Sequence, residues 1–346
     1  MGGLVEATAA TGVEVAVVSF DAYRPRRQIA AAAVIETVGA ARVLRVRGDA
    51  DLDAARSFAA DAVLHVHDGM LWAFAASCAS PWRVFTPHVV HRALNAVRGV
   101  TERTMSLAGE QAAVAGADVV VAPSRAAAGM LGVKDMAPLG VDLPDETTRR
   151  EGPPTILHVG RFDAAKGNDD VVAIGLRVLR TRPDVVLEIA GGVPENAKGE
   201  RRQRRRIEAA IPPEVVDRVR LLGWLDGAEL EAAYARADVL LQPSRLETVG
   251  LAVLEAMARG VPVVSTRCGG PEERITPETG RLTEVGDLAG AAAAVLEVLD
   301  HPEMGVAARA AAQAWAWPKV VEGWFAFYRY PRRPGTLQAR TLDISE

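Results

Sequence analysis

Short apolar, β-branched runs alternate along this chain with Ala- and Leu-rich stretches of helical spacing, and the whole pattern occurs twice. In the first half the strand-like runs are Val13–Phe20, Arg42–Val46, Ala62–His67, Trp82–Pro87 and Asp118–Ser124. In the second half they are Thr155–Gly160, Val185–Gly191, Arg218–Gly223, Asp238–Ser244 and Pro262–Thr266. Nearly uninterrupted apolar strands, each followed by a helix, predict parallel sheets covered on both faces. With 346 residues the chain is too long for one ordinary core. Between the two sets, Ala137–Pro154 is rich in proline and charge and reads as a linker. The expected fold is therefore α/β, with two doubly wound Rossmann-like domains whose parallel sheets face a cleft. Ligands of such sheets sit beyond the carboxyl ends of the strands.

Composition narrows the function. A formal charge of −4 and a pI near 6.0 argue against a nucleic-acid partner. Two cysteines, Cys78 and Cys268, lie too far apart for a disulfide framework or a zinc motif, which suits a reducing, cytoplasmic setting. No apolar run approaches the ~18–20 residues of a membrane span, and the start lacks the charged and apolar regions of a signal peptide. Five arginines in Gly199–Ile211 read as the solvated face of a helix.

Three stretches carry chemistry. After the strand Asp238–Ser244 comes a short loop with Glu247, then a helix starting near Val249-Gly250 and closing at Gly260. The free amides of Thr248 to Leu251 at that helix start favour an anion such as a diphosphate, and Gly250 allows close approach. Glu247 stands beside the anion and Glu255 about one turn along the helix; a carboxylate can accept from two neighbouring hydroxyls. Two acids flanking an anion site suit a sugar on one side and a ribose on the other; two solvent-facing acids are the plainer alternative. In His158–Val172, Arg161 and Lys166 leave the carboxyl end of one strand and can neutralise a diphosphate. Arg267–Ile275 is a glycine loop, readable as a tight turn or as a ligand loop.

In this order and spacing, the stretches resemble the retaining, nucleotide-sugar-dependent glycosyltransferases of family 4, with the GT-B fold. The hallmark there is two glutamates separated by seven residues and followed by a Gly-Val-Pro-Val-Val strand, here Glu247, Glu255 and Gly260–Val264. The resemblance implies an N-terminal acceptor-binding domain over residues 1–145, a nucleotide-sugar domain over 146–314, and a closing helix that crosses back, plus a polar tail, over 315–346. It implies that Arg161 and Lys166 bind the diphosphate, Glu247 the donor sugar and Glu255 the ribose. The amides of Thr248, Val249, Gly250 and Leu251 would touch phosphate or sugar. Trp224 and Leu225 lie where the family's backbone pairs with the base. Val249 stands where the family usually has Phe. His88 falls where a histidine approaches the donor sugar, which makes Glu247 and His88 the catalytic candidates.

The implied activity is transfer of a hexose from a UDP- or GDP-sugar to a hydroxyl of a small-molecule or glycan acceptor, with no metal and no cofactor beyond the donor. A GT-B sugar-nucleotide epimerase and a non-catalytic sugar-nucleotide-binding module are the alternatives. Oligomeric state is left open. The family begins with a strand and a glycine-rich phosphate loop. Gly2-Gly3 could be that loop without its strand, or Val13–Phe20 is the first strand with Asp21–Arg27 as its loop. His65 and His67 share one strand face and read as polar residues at a strand end rather than metal ligands, and His158 as a strand residue with a satisfied side chain. The tryptophans of Trp315–Trp324 are expected to pack the closing helix, and the tail to be frayed.

Overall fold

The computed structural model describes residues 2–12, 15–20, 34–38, 41–46, 52–60, 62–100, 104–145, 152–192, 197–328 and 339–343. Its strands are β1 (Val15–Phe20), β2 (Val34–Val38), β3 (Ala41–Val46), β4 (Val63–Val66), β5 (Trp82–Phe85), β6 (Val119–Val120), β7 (Thr155–Val159), β8 (Val186–Ala190), β9 (Val219–Gly223), β10 (Val239–Gln242), β11 (Val263–Thr266), β12 (Gly280–Thr283) and β13 (Ala339–Asp343). The chain divides into two compact units: residues 1–96, 100–140 and 317–346, and residues 97–99 and 141–316.

The second unit is built on the order β12-β11-β10-β7-β8-β9, parallel throughout. Period-two alternation splits its apolar side chains between two faces. Ile156, Leu187, Leu241 and Val264 pack with Val171, Val178 and Val295 from the helices Asn168–Thr181 and Leu288–Leu299. Leu157, Leu240 and Val263 pack on the other face with Ala233, Tyr234, Val253 and Met257 from the helices Gly227–Arg236 and Leu251–Ala258. Burial on both faces is why these strands read as unbroken apolar runs. The strand order has a direct consequence for function. From β7 the chain moves outward through β8 and β9, then returns to the other side of β7 for β10. The carboxyl ends of β7 and β10 therefore flank a topological switch point, where the loops on the two strands diverge and leave room for a ligand.

The first unit has the order β2-β3-β1-β13-β4-β5-β6. It departs from the expected all-parallel sheet at one edge, where β2 runs antiparallel to β3, from Val34 opposite Arg45 to Val38 opposite Ala41. Only two residues separate these strands, too few for a parallel crossover. The tail expected to be frayed contributes β13, parallel to β1 on one side, with Ala339 opposite Val15, and to β4 on the other, with Ala339 opposite Val63. A strand paired on both sides satisfies its backbone groups whatever its side chains, so polar composition did not reveal it. Gly2-Gly3 do not form a loop: they open the helix Gly2–Ala10, which precedes β1. The alternative loop, Asp21–Arg27, lies outside the described residues, as does the linker segment 146–151.

The helix Trp317–Tyr328 belongs to the first unit. Trp324, fully buried, donates from Nε1 to the Pro138 carbonyl at 2.9 Å, and Trp317 lies against Gly140. Both indoles pack this helix, as the sequence suggests. Cys78 and Cys268 are buried free thiols. Among the described residues, no helix is long and apolar enough to cross a membrane.

Candidate functional site

The switch point of the second unit gathers most of the sequence-predicted residues. β7 ends at Val159, and Arg161 follows, exposed. A short 3-10 turn, Ala164–Lys166, then carries Lys166 back toward the sheet. Asp163 starts that turn by accepting from the Ala165 amide at 2.9 Å. Gly167 ends it in the left-handed region, at φ +67°, and opens the helix Asn168–Thr181. A Cβ at Gly167 would overlap the Pro243 carbonyl, so the loop after β7 lies directly on the loop after β10.

That contact brings the two chemical loops together. Lys166 Nζ lies 2.7 Å from Glu247 Oε1. The same oxygen accepts from Ser244 Oγ at 2.8 Å and lies 3.4 Å from Gln242 Nε2. Glu247 is only 7% exposed, and burying a carboxylate without such donors would be costly. With Oε1 held by three donors, Oε2 has no donor among the described residues and is the oxygen left for a ligand. The glycine loop clasps the same residue: Glu247 N–H donates to the Cys268 carbonyl at 3.0 Å, and Gly270 N–H donates to the Glu247 carbonyl at 2.9 Å. Of the two readings of Arg267–Ile275, this is a loop that fixes Glu247 through its backbone.

Gly250, at φ +74°, caps the helix Leu251–Ala258. The Leu254 amide donates to the Gly250 carbonyl at 3.2 Å, so the amides of Leu251 to Val253 precede the first ladder bond. They point out of the helix start beside the Glu247 loop, where the dipole favours an anion. Val249 is buried and Thr248 partly so. Arg274 braces this turn from below, donating from Nη1 to the carbonyls of Val249 at 2.6 Å and Gly270 at 2.8 Å, with its guanidinium over the Trp315 ring. Its burial lowers its pKa to about 10.

Glu255 faces elsewhere. Its Oε2 accepts from Tyr234 Oη at 2.9 Å. Glu247 is buried and Glu255 partly exposed, and each has its own partner. Trp224, just past β9, is 41% exposed, whereas Leu225 is partly buried against the core cluster that holds Leu157, Tyr234 and Leu254. Below the switch point, His158 Nδ1 lies 3.0 Å from the Leu241 carbonyl, but its buried Nε2 has no partner among the described residues. Of the expected satisfied side chain the Nδ1 contact is in place, and the Asn168 side chain acts on the ring besides. Burial holds the His158 ring neutral, at a pKa of about 4.

His88 belongs to the first unit and stands in a histidine cluster at the carboxyl ends of β4 and β5. His88 Nε2 lies 3.0 Å from His67 Nδ1, and the His65 and His67 ring centres are 3.9 Å apart with the rings tilted by 39°. His65 bridges Tyr328 Oη and Thr86 Oγ1, each at 2.8 Å. Burial depresses all three imidazoles, His88 to about 4 and His65 to about 3. Among the described residues no group of three or more His, Cys, Asp or Glu is placed to hold a metal ion.

Sequence reasoning missed Gln242, Ser244, Tyr234 and Arg274. Gln242 and Ser244 had a readable signal: polar residues closing an otherwise apolar strand just before the first acid. Tyr234 and Arg274 had none, because nothing in their spacing links Tyr234 to Glu255 or Arg274 to the turn at Val249.

Two Rossmann-like units, with this switch-point site in the second, define a protein of the GT-B fold. A solved sucrose-phosphate synthase from Thermosynechococcus elongatus superposes with a TM-score of 0.75 at 24% identity, over 94% of this chain and 90% of that one. Residues 153–301 match the family "Glycosyl transferases group 1" and form a domain of that family. Similar curated proteins include a glycogen synthase of Mycobacterium tuberculosis, 40% identical over 154 residues, which are 44% of this chain and 36% of that protein. A D-inositol 3-phosphate glycosyltransferase of Segniliparus rotundus is 30% identical over 282 residues, 72% of this chain and 62% of that protein. The chain thus spans roughly a third to three-fifths of the length of these relatives.

Proposed function

We propose that the protein is a retaining glycosyltransferase of family 4 that moves a hexose from a UDP- or GDP-sugar to a hydroxyl of a small-molecule or glycan acceptor. The observation that carries this reading is the Lys166–Glu247 pair at the switch point, beside the open helix start at Gly250. Arg161 and Lys166 would take the diphosphate, with the amides of Thr248 to Leu251 adding partial positive charge. Glu247 Oε2 would accept from the sugar's hydroxyls, and Glu255 from the ribose. The base would meet the chain at Trp224 and Leu225. His88 would contact the sugar, as the family resemblance implies.

The chemistry asked of such a site is stabilisation of a departing diphosphate, which preorganised cations and amides supply well. The protein's own cations can do this without a metal ion. Among the described residues no side chain beside Glu247 is poised as a strong base, which fits attack on the face that the leaving group vacates. A nearby thiol is a poor nucleophile: burial pushes Cys268 up to about 12. The buried free cysteines agree with a cytoplasmic location.

The test is a thermal-shift panel of UDP-, GDP-, ADP- and TDP-sugars, followed by transfer to a set of polyol and sugar acceptors with and without EDTA. The reading expects stabilisation by one donor, EDTA-resistant transfer, and a product with the donor's anomeric configuration by NMR. A new sugar nucleotide formed from donor alone would establish the epimerase instead. Donor binding with neither transfer nor hydrolysis would leave a binding module.

A further inference from the structure

The reading above gives Glu255 a ligand but leaves open what aims its carboxylate. Glu255 sits in the second turn of the helix Leu251–Ala258 and is partly exposed. A free glutamate there would sample several rotamers, and gripping a diol would require freezing it. The structure already fixes one oxygen. Tyr234, in the helix Gly227–Arg236, is 1% exposed, and its hydroxyl is 2.9 Å from Glu255 Oε2 against 3.5 Å from the Ala252 carbonyl. The carboxylate is thus its nearer acceptor.

The tyrosine is itself held. The Arg259 guanidinium lies over the Tyr234 ring, 5.1 Å from its centre. Arg259 also donates to the Glu255 carbonyl at 3.0 Å and from Nε to Glu231 Oε2 at 2.7 Å. Arg259 therefore ties the ring of the tyrosine to the backbone of the glutamate that the tyrosine's hydroxyl holds. Burial beside Glu255 keeps the Tyr234 hydroxyl protonated, so it remains a donor at any working pH. With Oε2 accepting from Tyr234, Oε1 and the remaining lone pair of Oε2 have no donor among the described residues.

We propose that Tyr234, clamped by Arg259, is the positioning residue that presets Glu255 to grip the 2′ and 3′ hydroxyls of the donor nucleotide. The assignment rests on the reading of Glu255 as the ribose ligand. Tyr234 touches no substrate: it acts by sparing the donor the entropy of ordering the carboxylate. Freezing a flexible side chain at an interface costs about 0.5–1.5 kcal/mol, which sets the scale of the effect at about twofold to tenfold in affinity.

The test compares UDP and GDP with their 2′,3′-dideoxy analogues by calorimetry, on wild type, Glu255→Gln and Tyr234→Phe. Wild type should prefer the diol-bearing nucleotide about tenfold or more, as expected for hydrogen bonds to a charged acceptor. Glu255→Gln should erase most of that preference. Tyr234→Phe keeps the buried ring and should lower the preference about twofold to tenfold, weakening the diol form and leaving the dideoxy form unchanged. In steady state the donor KM should rise while kcat holds. An unchanged preference in Tyr234→Phe overturns the proposal while leaving Glu255 in place. An unchanged preference in Glu255→Gln removes the ribose reading and the proposal with it. Equal weakening of both nucleotides in Tyr234→Phe, with a lowered Tm, would show a purely structural tyrosine and also overturn it.

Discussion

Lys166 and Glu247, 81 positions apart in sequence, meet at 2.7 Å across the switch point of the second sheet. Sheet topology brings them there: the strands that carry their loops, β7 and β10, are hydrogen-bonded neighbours whose onward connections run in opposite directions. The pair is therefore a product of strand order, and it joins the cation proposed for the diphosphate to the carboxylate proposed for the sugar. In Lys166→Ala, both donor binding and transfer should weaken, with kcat/KM falling about 10²–10³-fold if the lysine stabilises the leaving group. Glu247 would keep Ser244 and Gln242 as donors, so the stability cost should stay at about 1–3 kcal/mol. Wild-type kinetics in this variant would remove Lys166 from the site.

Glu247→Ala should separate the two functions. The substitution frees Lys166 for the diphosphate, so donor affinity should change by less than about tenfold. The sugar loses its carboxylate, so kcat should fall about 10²-fold or more. Calorimetry with the donor beside single-turnover transfer measures both. A fall in affinity with kcat unchanged would show that Glu247 serves binding alone.

Gly167 offers a structural test of the same geometry. Its φ of +67° is strained for any other residue, and a methyl there would overlap the Pro243 carbonyl. The left-handed conformation alone costs about 1–3 kcal/mol, and the overlap must push the two loops apart. Gly167→Ala should thus lower Tm and weaken donor binding together. Unchanged donor affinity would mean that the loop contact does not set the site.

The second unit was legible because its strands are buried on both faces. Ile156 and Leu157 serve opposite cores, as do Leu240 and Leu241, so the sequence shows plain apolar runs with clear ends. The acids and cations were legible because they fall at strand ends and a helix start. What the acids touch was not: the Lys166–Glu247 and Tyr234–Glu255 contacts join residues from different elements, and only strand order and helix packing decide them. The first unit was harder for a different reason. β13 is held by backbone pairing to β1 and β4, and backbone pairing leaves little trace in side-chain pattern. The antiparallel pairing of β2 with β3 was a missed reading, since Gly39-Ala40 between two apolar runs is a Gly-X hairpin signal.

The buried imidazoles set a pH dependence whose sign is fixed. His158, at about 4, and His88, also at about 4, lie below the ordinary histidine value of 6.5 because burial disfavours the charged ring. Above pH 6.5 neither folded nor unfolded chain protonates these rings, and they contribute nothing. Between about pH 6.5 and pH 4 the unfolded chain binds a proton that the folded chain refuses, so stability falls as pH falls, by about 1.4 kcal/mol per unit for each ring. Carboxylates paired in the fold act in the same direction, so the wild-type slope alone cannot isolate the histidines. His158→Gln can. Glutamine has no proton to gain in this window, and its amide can still meet the Leu241 carbonyl that Nδ1 now faces. Urea unfolding across the window should give a slope for His158→Gln that is shallower than wild type by nearly one proton. Parallel slopes would mean that His158 titrates normally in the fold and is not sealed beneath the Lys166–Glu247 pair.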